Sequence, residues 1–170
     1  MNQQFIAKTF KGLEEILAAE LVALGADNIE IQRRAVAFTG DKRLLYKANL
    51  HLRTATRILK PVATFRAKTP DEIYTEVMKL DWSAIMTTDN TFAIDATVFS
   101  DEMRHSRFVA YRVKDAIVDW FRQHTGKRPS VKVDNPQLTF NVHVAQDQCT
   151  LSLDSSGESL HKRGYRTNQT

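Results

Sequence analysis

The chain is poor in the residues that punctuate or cross-link: one cysteine, six glycines and four prolines in 170 positions. A single thiol, Cys149, can close no internal disulfide and supply no cysteine-based metal site, which points to a fold held by its core in a cytosolic setting. So few glycines leave little from which to build a phosphate-cradling loop. No P-loop, no G-x-G-x-x-G and no G-x-S-x-G elbow occurs. No apolar run approaches the roughly 20 residues that cross a bilayer. The N-terminal MNQQFIAKTFKGLEE lacks the basic-then-apolar layout of a secretion signal, so Asn168-Gln169-Thr170 is a glycosylation sequon in pattern only. The histidines, at 51, 105, 124, 143 and 161, form no H-E-x-x-H or H-x-H and have no carboxylate at ligand spacing, so no metal is expected. Asp134-Asn135-Pro136-Gln137 has the outline of an Asn-Pro-Pro-Tyr methylation motif but lacks its second proline and aromatic. It reads as a loop between strands. Neither an active site nor a bound cofactor is expected in this chain.

What is present is ordinary globular material, 42% hydrophobic and 26% charged, enough for one domain or two small ones. The net charge of +4 is unevenly laid down. Residues 31–70 carry ten basic groups against Asp41 alone, residues 71–100 swing to −5, and residues 101–132 return to +4. Such alternation gives a surface basic and acidic faces, and basic faces attract phosphate backbones.

Periodicity supplies the elements. Phe5-Ile6-Ala7 begins a strand; Leu13, Ile16, Leu17, Leu21 and Leu24 recur at helical spacing before Gly25. Ile29 and Ile31, then Val36 and Phe38, read as a hairpin turning at Arg33-Arg34. Asp41 caps a helix striped by Leu44, Leu45, Ala48 and Leu52, and a β-prone run from Thr54 to Arg66 follows. This β-α-β-β-α-β order over residues 1–66 predicts a ferredoxin-like unit. Beyond it, Thr69-Pro70 opens a helix to Leu80, Phe92–Val98 alternates as a strand, and Ser106–His124 is a helix ended by Gly126. Two further alternating strands then form a hairpin, with Cys149 on the apolar phase as an inert thiol and His143 on the polar phase. The fold class expected is α+β: two small units over residues 1–66 and 67–155, then a polar basic tail, 156–170.

Phosphate recognition needs several cations on one surface. On the 106–124 helix the side opposite the Val109, Val113, Ala116, Ile117 and Trp120 stripe gathers Arg107, Tyr111, Lys114, Val118 and Arg122, with Arg112 toward the flank. Lys127, Arg128 and Lys132 follow it, and Lys162, Arg163 and Arg166 repeat the mixture in the tail. An exposed tyrosine among cations can stack on an unpaired base. The alternative is a merely solvated face, with Lys114 meeting Asp115 or Asp119 locally. In the 31–70 block, Arg53 and Arg57 are four apart and support either a basic patch or the bracing of helix ends.

Five segments in order carry a resemblance over residues 1–166: Gly12-Leu13-Glu14 with Glu20-Leu21 and Leu24-Gly25; Tyr46-Lys47-Ala48-Asn49-Leu50 with Leu52-Arg53-Thr54-Ala55-Thr56-Arg57; His105-Ser106-Arg107-Phe108 with Val113-Lys114-Asp115-Ala116-Ile117; Val133-Asp134-Asn135-Pro136; and Leu153-Asp154 with Gly157 through Arg166. The chain resembles the N-terminal part of the bacterial THUMP-domain methyltransferases that modify guanine N2 of large-subunit ribosomal RNA. The resemblance implies a ferredoxin-like unit, then a THUMP module with a mixed sheet that binds RNA. It also implies that the tail leads toward a separate methyltransferase domain, which would take S-adenosylmethionine. Related modules imply two alternatives, tRNA-modifying enzymes and adenine-specific DNA methylases; a basic module docking an acidic protein is a third.

Overall fold

The computed structural model describes residues 2–155, and the tail cations Lys162, Arg163 and Arg166 lie outside them. Packing divides the chain into two compact units, one running to Pro61 and returning at Asp154, the other covering Val62–Leu153.

The first unit runs β1 (Gln3–Thr9), α1 (Glu14–Leu24), β2 (Asp27–Gln32), β3 (Ala35–Gly40), α2 (Lys42–His51) and the first half of β4 (Ala55–Arg66). Its strands lie in the order β2-β3-β1-β4, every pair antiparallel, so β3 is inserted between β1 and β2. That insertion is the split βαβ arrangement expected from the element order. Phe5, Leu17, Leu21, Val36, Phe38, Ala48 and Ile58 fill the core between sheet and helices. Two local devices set the second helix. Asp41 caps α2 by accepting from the Leu44 amide at 2.8 Å. Gly40 ends β3 where Leu44 folds back, and a Cβ there would stand 2.1 Å from Leu44 Cδ2. The hairpin does turn at Arg33-Arg34, with Arg34 at φ 56°. The stripe expected on α1 is corrected at one position: Ile16 is exposed, and Ala18 fills the buried arc beside Leu17 and Leu21.

The second unit holds the rest of β4, then α3 (Pro70–Met78), a 3-10 turn (Trp82–Ala84), β5 (Thr91–Phe99), α4 (Ser106–Thr125), β6 (Ser130–Val131), β7 (Leu138–Ala145) and β8 (Gln148–Asp154). Its strands lie in the order β8-β7-β5-β6; β5 is parallel to both β6 and β7, and β7–β8 is an antiparallel hairpin, so the sheet is mixed. Thr69 and Glu72 form a reciprocal capping box at the start of α3, with Pro70 in the first turn where its missing N–H costs nothing. Helix α4 ends at Gly126, which adopts φ 75° and donates to Arg122 O. Trp82, Phe92, Phe140, Val113, Ile117 and Leu151 centre the core. The two-residue β6 and the 3-10 turn have too few residues for a periodic signal, and the sequence does not predict them.

Candidate nucleic-acid interface

Helix α4 owes its orientation to a wide apolar arc. Val109, Val113, Ala116, Ile117, Val118, Trp120 and Phe121 are all buried, since the helix packs on β5 and on α3 at once. Val118, expected on the outer side, is buried. What remains outward is Arg107, Phe108, Tyr111, Lys114 and Arg122, with Lys127 and Arg128 continuing past Gly126. Lys132 stands just beyond β6, where its amide donates to Phe92 O at 2.9 Å. At 1.5 Å per residue the 20-residue helix is about 30 Å long, so these groups form a stripe rather than a compact patch.

Two of the expected cations are already engaged. Arg112 faces α3: its Nε lies 3.0 Å from Asp71 Oδ1, its guanidinium stacks 4.2 Å from the centre of the Tyr74 ring, and its side chain is only 24% exposed. The Tyr74 hydroxyl donates to Asp119 Oδ2 at 2.6 Å, and that bond, with burial, holds its pKa above the ordinary phenol value. The donor stays protonated at neutral pH, so α3 and α4 share a cation–π and carboxylate clamp. Lys114, 31% exposed, meets Asp115 Oδ1 at 2.5 Å, the local pairing that the sequence left open. Arg112→Ala is expected to cost about 1–2 kcal/mol of stability in urea unfolding, while Arg112→Lys keeps the charge and loses the planar stacking. RNA affinity far below that of the native chain, with stability unchanged, would instead make Arg112 a phosphate contact.

Among the described residues, Arg107, Arg122, Lys127, Arg128 and Lys132 make no ion pair, so their charge is available to an anion. In the first unit the 31–70 block resolves differently. Arg57 braces Asp154 at 3.9 Å, whereas Arg53 is exposed and offers its backbone amide to Glu20. The denser feature there is the outer side of α2, where Lys42, Arg43 and Lys47 flank an exposed Tyr46. Their helical spacing at i, i+1, i+4 and i+5 is the sequence signal for that face, and the expectation placed on Arg53 and Arg57 missed it.

The described residues hold no cluster of His, Cys, Asp and Glu fit for a metal ion. They also do not suit S-adenosylmethionine. The turn from β1 into α1 has a single glycine, Gly12, whose amide donates at 2.7 Å to the Glu14 carboxylate. Local amides, its own first, depress the Glu14 pKa, so an anion already occupies that helix start. Asp134–Gln137 is the expected loop, its Gln137 Oε1 accepting from the Thr91 amide at 3.1 Å. Cys149 is fully buried, and burial pushes its thiol up to about 11, which leaves it inert.

Comparison with known proteins fits these two units. The RlmL ferredoxin-like domain matches residues 4–59, and the THUMP domain matches residues 67–154. The chain belongs to the THUMP family. Its relatives are longer than it is. "Ribosomal RNA large subunit methyltransferase K/L" of Syntrophotalea carbinolica is 45% identical over 163 residues, which is 96% of this chain and 23% of the relative. A Synechocystis sp. protein provisionally named an RNA methyltransferase is 41% identical over 165 residues, 97% of this chain and 43% of that one. The crystal structure of a "predicted N6-adenine-specific DNA methylase" from Listeria monocytogenes superposes with a TM-score of 0.83 at 30% identity, over 100% of this chain and 44% of its own. The chain thus spans 23–44% of these three proteins, and in each case the match includes the THUMP unit that carries the α4 stripe.

Proposed function

We propose that this chain is the RNA-holding part of an S-adenosylmethionine-dependent ribosomal RNA (guanine-N2) methyltransferase. Its α4 stripe would grip structured RNA so that a catalytic domain elsewhere in the protein reaches the target base. One observation carries the reading: a row of exposed cations with no acidic partner among the described residues, Arg107, Arg122, Lys127, Arg128 and Lys132, flanks an exposed Tyr111 on a THUMP unit. Cations distributed over about 30 Å suit a phosphate backbone, because each neutralised phosphate contributes through released counterions. Tyr111, 55% exposed, offers a ring to an unpaired base, which folded RNA presents and duplex DNA does not. The name of the 45% identical relative supports ribosomal RNA as the substrate class, and this reading puts the protein's work in the cytoplasm. Residues 156–170, with Lys162, Arg163 and Arg166, would then join the two domains and add cations near the RNA.

The name of the Listeria protein favours a second reading, DNA as the polymer held. Binding to a large-subunit ribosomal RNA fragment, a tRNA and a DNA duplex at one salt concentration separates the readings. The ribosomal fragment is expected to bind at least about 10-fold more tightly than the duplex, the increment of one stacked base. Tighter binding of the duplex would overturn this proposal, and tightest binding of tRNA would move the substrate to that class. Binding to none of the three at low salt would favour a protein partner.

A further inference from the structure

The C-terminal end of α4 carries a second feature, separate from the outward stripe. His124 lies flat on Trp120, ring centres 3.9 Å apart and planes 12° from parallel, and its Nδ1 is held 2.8 Å from Trp120 O. The imidazole is thereby fixed in orientation with one side covered by the indole, yet the residue as a whole is exposed. It borders an open cleft of about 460 Å³ lined also by Met78 at the end of α3 and by Leu80, Asp81 and Ser83 just beyond it.

The polar groups of this cleft describe its occupant. Lys79, at its edge, is already paired with Glu76. Asp81 uses Oδ1 to accept from the Ser83 amide and hydroxyl, at 3.1 and 2.5 Å, and no bond is made to its other carboxylate oxygen among the described residues. A carboxylate in the wall repels a free phosphate but accepts readily from ring and exocyclic N–H groups. Apolar walls from Met78 and Leu80, a fixed aromatic platform and a carboxylate acceptor together suit a flat, neutral ring with donor edges. The cations Lys127 and Arg128 follow His124 by three and four residues, so a sugar-phosphate leaving such a ring finds positive charge close by.

We infer that this cleft is a slot for one unpaired RNA base, which stacks on the free side of His124 and presents its donor edge to Asp81. The inference rests on the RNA-holding reading and adds a defined subsite to it. Base–aromatic stacking of this kind changes affinity by about 10-fold per base.

The test compares two RNA hairpins with the same stem, one blunt and one ending in two unpaired adenines, bound to the full 170-residue chain and followed by fluorescence anisotropy. The expected result is about 10-fold tighter binding of the overhang hairpin. That ratio falls to near 1 in His124→Ala and survives in His124→Phe, which keeps a platform, with thermal melts reporting that each variant is folded. A ratio unchanged in His124→Ala overturns the slot, as does a native ratio near 1. Failure of both hairpins to bind at low salt would instead remove the RNA-holding reading along with it.

Discussion

Reversing Arg107, Arg122, Lys127 and Arg128 together to glutamate is expected to weaken RNA binding at low salt by about 100-fold or more, with little change in stability. The four groups are exposed and make no ion pair among the described residues, so replacing them breaks no native pairing there. Surface substitutions of this kind usually move stability by less than about 0.5 kcal/mol each. The effect on binding, by contrast, accumulates, because every cation removed gives up one released counterion and every glutamate added repels a phosphate. The matching reversal on α2, at Lys42, Arg43 and Lys47, reports whether the ferredoxin-like unit shares the RNA. Weakening by the α2 variant alone, with the α4 variant binding as the native chain does, would move the interface to that unit.

Trp82→Ala is expected to be the most damaging single change to the fold, at about 3–5 kcal/mol in urea unfolding. The indole is completely buried, packs edge-on to Phe140 with ring centres 5.3 Å apart, and donates to Val77 O at 2.9 Å. Truncation opens a cavity in the core of the second unit and also takes the indole N–H away from the Val77 carbonyl. Trp82→Phe refills most of the space and isolates the hydrogen bond, so it is expected to cost about 1–3 kcal/mol. Since α4 rests on this core, Trp82→Ala should also lower the temperature at which RNA is released. A cost below about 1 kcal/mol would mean that the core repacks around the gap.

Most of the fold is legible in the sequence because alternation and helical spacing are clean. The β-α-β-β-α-β order, the Asp41 and Thr69 caps, the Gly126 stop and the closing hairpin all stand where the residues point. On α4 the misplacements come from tertiary packing. A helix drawn alone has one buried side, whereas α4 is packed by a sheet and by a second helix. Val118 is buried, and Arg112, a flank cation by spacing, turns to Asp71 and Tyr74 on α3. Lys114 shows the complementary limit: its adjacency to Asp115 is visible, but the choice between pairing and solvation depends on rotamers that no spacing encodes. The slot at His124 is illegible for the same reason, since its walls come from residues some 40 positions apart in sequence.

The most direct test of the central claim is the salt dependence of RNA binding by the native chain and by the fourfold α4 variant. If the stripe holds the phosphate backbone, log K falls linearly with log salt concentration. The slope of the variant is then shallower by about 3, at roughly 0.7–0.9 for each phosphate no longer neutralised. Equal slopes for the two proteins would contradict it, because the RNA would then be held without the cations of α4.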